Sequence, residues 1–300
     1  DEELNKENEQ ENEQDNYKFD KNKKIEDNSI NNTESTKQKK EEEEEKPFQQ
    51  SLPLIFENSR VIPNAFIRSA LFGMVKKGAR KYIDSEEVIA MKQYKIVYKG
   101  EALDQNDLEV WDTVIYLAKK LNADDKIETS IYKILQEIGL QTNSGNNVKA
   151  IVARLSRLQG GQLILSGKTP ENKKLLYVGS LIDDFTYSDD GKLIIKFNKT
   201  LRNLFIENDY TFIDCNTRIV LGDSQMTKWL FHLYSSHNNP IPLTLEFLKQ
   251  LARSTMVLSD FRKQIRKSII ELATIGWKCY IDSEDRLIVN KKNSILPKNT

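Results

Sequence analysis

Cysteine, histidine and long apolar runs are all scarce in this 300-residue chain. Cys215 and Cys279 are too few for a disulfide framework, and neither has the close Cys/His neighbours of a structural zinc site. His232 and His237 are the only histidines, which excludes the paired-histidine metal chemistry of rolling-circle nicking enzymes. No window approaches the ~18 consecutive apolar residues of a membrane helix, and no basic-then-apolar signal peptide opens the chain. The expectation is a soluble cytoplasmic protein with no membrane partner, no metal and no cofactor. The chain opens on Asp1 rather than methionine, which points to processing or trimming.

Net charge is also lacking, but only as a sum. Residues 1–50 hold 17 acidic and 9 basic residues, a charge of −8, and the remainder carries +8. Residues 215–300 alone hold 13 basic and 7 acidic residues, so most of the positive excess lies in the last third. The first 50 residues are mostly Glu, Asn, Lys, Gln and Asp. That composition cannot offset the entropy of ordering, so a disordered acidic tail is expected.

Beyond Pro53 apolar periodicity begins. A short helix is expected from Pro63 or Asn64, with Phe66, Ala70 and Met74 on one face, and a strand through Tyr94, Ile96 and Tyr98. A long helix follows, capped by Asp104 or Asp107, with Leu108, Trp111, Ile115 and Ala118 towards a core. Next come a helix from Thr129 or Ser130, a break at Gly139 to Gly145, and a helix from Asn146 to Gln159. Three extended runs follow: Gln162 to Ser166, Leu175 to Val178 and Leu193 to Phe197, the last entered through Asp190-Gly191. The order recurs in the last third: a helix from Asp223, a short one from Thr244, a turn at Ser254 to Ser259, and a long helix to Ile275. An extended pair, Trp277 to Ile281 and Leu287 to Asn290, closes it. The fold class read from this order is α+β: two tandem winged-helix domains, residues 51–214 and 215–300, preceded by the acidic tail, residues 1–50.

At 100° per residue, Phe261, Ile265, Ile269, Leu272 and Ile275 fall within an arc of about 120° on the last long helix. Arg262, Lys263, Arg266 and Lys267 occupy the opposite arc. Lys249, Arg253, Ser254, Thr255 and Ser259 precede or open it, and Lys278 begins the hairpin. Basic groups on an exposed helix after a turn are what phosphate neutralisation and major-groove entry require. In the first domain Lys149, Arg154 and Arg157 lie opposite Val148, Ile151, Val152, Leu155 and Leu158, a thinner basic face suited to the DNA backbone or to architecture.

Other constellations are weaker. Gly161 to Thr169 nearly matches a phosphate loop, but its first glycine is one residue early and Pro170 follows where a helix should open. Asp183-Asp184 and Asp189-Asp190 flank turns, where Asp is favoured for turn chemistry alone. His232 on the polar side of its helix and His237 beside Asn238-Asn239-Pro240 read as surface or capping residues.

Several phrases in order carry a family resemblance: Leu52-Pro53 with Arg60-Val-Ile-Pro-Asn64-Ala-Phe66-Ile-Arg68-Ser-Ala-Leu-Phe72, and Tyr98-Lys-Gly100-Glu-Ala-Leu103 with Val110-Trp111. Leu155-Ser-Arg157-Leu158-Gln159, Ser235-Ser-His237-Asn-Asn-Pro240-Ile-Pro242-Leu243 and Phe261-Arg262-Lys-Gln264 follow. From Ser51 to Lys292 the chain resembles the TrfA-type plasmid replication initiators, with the acidic tail outside the match. Ala65 stands where an acidic residue is expected and Phe261 where the family tends to have Trp. The resemblance implies a non-enzymatic protein with tandem winged helices that binds repeated origin sites (iterons), opens an AT-rich region and loads host machinery. Its implied partners are double-stranded iteron DNA, single-stranded DNA of the opened origin, host DnaA and the replicative helicase, and a second copy in an inactive dimer that sets copy number. Arg262, Lys263 and Arg266 would lie on the recognition helix of the second domain, and Arg154 and Arg157 on that of the first. A winged-helix transcriptional regulator is the alternative that shares this DNA physics; a replication nicking enzyme is disfavoured by the scarce histidine.

Overall fold

The computed structural model describes Pro53 and residues 57–291, apart from 77, 92–93, 124, 142–143, 169–173, 199, 202–203 and 206–208. The expected acidic tail lies outside the described residues. The described part belongs to one compact unit of mixed α and β structure.

The chain enters through β1 (Ser59–Pro63), one turn of helix α1 (Asn64–Ile67), and strands β2 (Phe72–Gly73), β3 (Tyr82–Val88), β4 (Tyr94–Glu101) and β5 (Leu103–Asp104). The helix expected to carry Phe66, Ala70 and Met74 on one face stops at Ile67. Long-range pairing takes over there: Ala70 N–H donates to Ile89 O at 2.7 Å, and the Arg68 guanidinium donates to Ser236 Oγ at 3.0 Å. Phe66 and Ala70 are still buried, but from opposite sides of that break.

Helix α2 (Gln105–Lys120) starts at a reciprocal cap. Asp104 accepts from the Asn106 and Asp107 N–H groups at 2.9 and 3.1 Å, and Asp107 accepts from Asp104 N–H at 2.9 Å. After β6 (Lys126–Ser130), Ser130 caps α3 (Ile131–Ile138), and Gly139 at φ 82° stops it in the left-handed conformation that glycine tolerates. Helix α4 (Gly145–Gly160) leads into β7 (Gln162–Lys168), β8 (Lys174–Gly179), β9 (Asp184–Tyr187), β10 (Lys192–Lys196) and β11 (Tyr210–Asp214). The three extended runs expected to follow α4 as one group belong to two sheets. Leu163 and Leu165 oppose Tyr98 and Ile96, so β7 and β8 extend β3 and β4 into a four-stranded antiparallel sheet. Ile195 opposes Ile127, so β10, with β9 on its other side, pairs with β6.

The second half comprises α5 (Cys215–Val220), α6 (Gln225–Ser235), β12 (Leu243–Thr244), α7 (Leu245–Leu251), α8 (Leu258–Thr274), β13 (Lys278–Ile281) and β14 (Arg286–Asn290). Its three-stranded sheet has the order β12-β14-β13, the same arrangement as β6-β10-β9. Helix, short strand, two helices and hairpin therefore occur twice, and the β7–β8 hairpin is an insertion in the first copy. Helix α5, unforeseen in the sequence, is only six residues long and is capped by Asp214, which accepts from Thr217 N–H at 2.6 Å.

Trp111 of α2 is fully buried at the centre, edge-on to Phe66 at 5.0 Å and stacked on Phe205 at 6.2 Å. The other side of α2 buries carboxylates. Asp112 bonds Arg218 of α5 at 2.5 Å and lies 4.0 Å from Arg60 of β1. Glu109 lies 3.4 Å from Arg218 and 3.3 Å from Lys228 of α6. His232 is part of this seam rather than of the surface: its ring is buried and Nδ1 lies 2.9 Å from Gln105 Oε1. A polar helix face read in isolation missed it because the polar partners come from α2. Among the described residues no helix is long and apolar enough to cross a membrane.

Candidate nucleic-acid interface

Helix α8 is fixed by its apolar side. Phe261, Ile265 and Leu272 are fully buried, and Ser268 donates no charge to the core but receives the Thr227 hydroxyl at 2.8 Å. The outward face then consists of Ser259, Lys263, Arg266, Lys267 and Ile270, all exposed. Lys263 pairs with Asp260 at 3.0 Å on the same exposed turn, a contact weak enough to yield to a phosphate. Arg266 and Lys267 have no ion pair among the described residues. Between them Ile270 is 71% exposed. An apolar side chain amid cations suits a thymine methyl group in the major groove. Sequence reading missed it, although a residue at 180° from the core arc was the available signal.

Arg262 is placed differently from its neighbours. Its Nε and Nη2 donate to the two Asp285 carboxylate oxygens at 3.0 and 2.6 Å, and this bidentate bond raises the guanidinium's already high pKa. Asp285 sits in the β13–β14 turn at φ 59°, and Asp282 organises that turn by accepting from Glu284 and Arg286 N–H groups at 3.0 and 2.9 Å. Arg262 thus ties the hairpin to α8. Lys278 and Tyr280 are exposed along β13.

The approach to α8 is a stop-and-turn. Lys249 is half-buried on α7 and 4.0 Å from Glu246. Ser254 Oγ accepts from Met256 N–H at 3.3 Å, a turn bond, and Thr255 is exposed. Arg253 points back towards β3, with Glu86 at 4.0 Å.

In the first copy α4 occupies the place of α8. Lys149 is exposed and without an ion pair among the described residues. Arg157, by contrast, is committed to the buried Asp107, at 3.0 Å from Nε and 2.7 Å from Nη2. Arg154 lines a cleft of about 370 Å³ with Asn106, Glu109 and Lys228. The outward stripe of α4 is Asn146, Lys149, Ala153, Ser156 and Gly160, a single cation among small and neutral residues. The thin basic face expected from the sequence is thinner still.

Asp190 behaves as turn chemistry requires, accepting from Lys192 N–H at 3.1 Å and from the Ser188 hydroxyl at 2.5 Å, whereas Asp184 opens β9 and lies 3.6 Å from Lys196. His237 Nδ1 lies 2.9 Å from Leu233 O at the end of α6, a capping position. Burial pushes the Cys279 thiol up to about 11 and the Cys215 thiol above its usual range, so both stay protonated at neutral pH.

A family model, the TrfA protein, matches residues 21–292. The match starts inside the acidic segment, earlier than the motifs alone place it. The plasmid replication initiator protein TrfA of Escherichia coli is 30% identical over 229 residues, 73% of this chain and 58% of that protein. The chain thus spans little more than half the length of that relative. Among solved structures, domains 2 and 3 of RctB superpose with a TM-score of 0.53 at 13% identity, over 76% of this chain and 98% of that one. This likeness is one of fold. With the family match covering nearly all of the described residues, the chain belongs to the TrfA family of plasmid replication initiators.

Proposed function

We propose that the chain starts plasmid replication by binding iteron repeats at the origin sequence-specifically, without catalysing a covalent step. Each helix, helix, hairpin set acts as a winged helix; residues 51–214 form the first domain and residues 215–300 the second. The second reads bases through α8, and the first holds backbone through Lys149. The observation that carries this reading is the outward face of α8, where Arg266, Lys267 and Ile270 stand together with no carboxylate engaging either cation among the described residues. Arg266 has the planar fork for guanine O6 and N7, and Lys267 a point charge for phosphate. Arg262, held by Asp285, positions the wing against the helix.

Bound repeats would promote opening of the neighbouring AT-rich DNA, whose single strand the protein contacts, and recruit host DnaA and the replicative helicase. Dimerisation through the first domain would withhold active monomer and set copy number. A footprint of the full chain on the plasmid that encodes it should show protection of tandem repeats, with no nicked circles covalently tied to protein when Mg²⁺ is added. Protection confined to a single promoter operator, or covalent nicked product, contradicts the proposal.

A further inference from the structure

The seam between β2 and the end of α7 carries an arginine in a backbone conformation that favours glycine. Arg253 has φ 54°. The turn around it is an ordinary helix stop: Arg253 N–H donates to Gln250 O at 2.9 Å and Ser254 N–H to Lys249 O at 3.0 Å. At this place in such a stop glycine is usual, because an L side chain is strained there. A strained residue that persists is a reason to ask what its side chain does.

The Arg253 side chain lines a cleft of about 580 Å³ together with Lys76, Lys81, Tyr82, Glu86 and Thr255. One of its nitrogens, Nη1, is buried and has no hydrogen-bond partner among the described residues. The carboxylate that faces it, Glu86, stands 4.0 Å away and is 67% exposed, too solvated to neutralise it. Lys76 and Lys81 are exposed and have no ion pair among the described residues. The two halves meet tightly here: Met74 N–H donates to Ala252 O at 2.7 Å, and a Cβ on Gly73 would lie 2.7 Å from Arg253 Cβ. A β-bulge before Glu86, with Ser85 at φ 57°, aims that carboxylate at the cleft.

We propose that this cleft is a phosphate-binding site for duplex DNA. Lys76 and Lys81 from the first half, with Arg253 and Thr255 from the second, hold one strand's backbone beside the turn that precedes α8. The proposal rests on the reading of α8 as the DNA-reading helix, because the helices flanking such a turn are where a helix-turn-helix meets the phosphate backbone. Glu86 holds the place of the phosphate on Arg253 until DNA displaces it. Since both halves supply cations, backbone binding there also fixes the halves on one duplex.

The test is anisotropy titration of the full chain against an origin-repeat duplex and a scrambled duplex, from 50 to 200 mM salt. Replacing Lys76 and Lys81 together by Gln should weaken both complexes alike and reduce the salt slope by about two, which makes the loss over that range about 12-fold smaller. Arg253→Gly should reduce the slope by about one while leaving Tm within roughly 4 °C of the parent, because glycine suits φ 54°. Glu86→Gln should tighten both complexes. Unchanged slopes in the lysine pair and in Arg253→Gly, with Lys267→Gln still lowering the slope, would overturn the cleft and leave the α8 reading intact. A changed ratio of origin to scrambled affinity in the lysine pair would also overturn it, since a backbone contact carries no sequence information. If Lys267→Gln and Arg266→Ala have no effect while the seam variants do, the α8 reading is the one that fails.

Discussion

Asp112→Asn takes the charge out of the buried cluster that joins α2 to β1 and α5. Asp112 is 0% exposed and Arg218 2%, so the guanidinium left behind cannot regain water. Removing one partner of a buried ion pair costs about 3–5 kcal/mol, mostly as uncompensated charge. The low end applies, because Arg218 keeps Glu109 at 3.4 Å and Arg60 keeps Glu137 at 2.9 Å. In a fold of this size 1 kcal/mol moves Tm by about 2–4 °C, so a loss of about 3 kcal/mol should lower Tm by roughly 6–12 °C. Circular dichroism melts, checked by urea unfolding, measure it directly. Replacing Asp112 by Leu and Arg218 by Met together should recover most of the loss, since well-packed apolar groups often match a buried pair. A Tm for Asp112→Asn within about 2 °C of the parent would refute the reasoning, because it would mean the cluster is hydrated or uncoupled.

Two further outcomes are expected. Burial, then Arg218 and Lys228, holds the His232 imidazole well below its ordinary 6.5, so it stays neutral in the fold but takes up a proton when unfolded. The stability this group contributes is present above pH 6.5 and lost as pH falls, by no more than about 2 kcal/mol between pH 7 and pH 5, the full cost of keeping an ordinary imidazole neutral. In urea melts at both pH values the parent should lose more stability on acidification than His232→Gln; equal sensitivity contradicts the assignment. Gly73→Ala places a Cβ 2.7 Å from Arg253 Cβ and 2.9 Å from Ala252 O, and the backbone atom cannot turn away. The overpacking should cost about 1–3 kcal/mol in urea unfolding, and an unchanged midpoint would show that the seam yields.

The elements of this fold were legible where the signal is local. Asp104, Ser130 and Thr244 cap the helices that follow them, and the buried face of α8 is the one its periodicity marks. What the sequence could not show is which partner each polar group meets across the chain. Arg157, Arg262 and Arg253 looked equivalent to Arg266 as outward cations. Asp107 lies 50 residues before Arg157 and Asp285 lies 23 after Arg262, so no helical pattern reveals those bonds. His232 was misplaced for the same reason, its partner being on α2. The assignment of β7 and β8 to the β3–β4 sheet likewise depends on which apolar face they cover, which strand alternation leaves open. Arg266 and Lys267 differ in that the fold brings no carboxylate to either among the described residues.

The central claim is that α8 reads the origin through Arg266. The most direct measurement compares the parent and Arg266→Ala, both shown folded by their melts, for affinity to an iteron duplex and to a scrambled duplex at physiological salt. A bidentate base contact is worth about 1–3 kcal/mol of discrimination, so the ratio of the two affinities should fall by about 5- to 150-fold, with the scrambled duplex changing far less. Equal weakening of both duplexes, or no change in either, would contradict the claim that this residue reads bases.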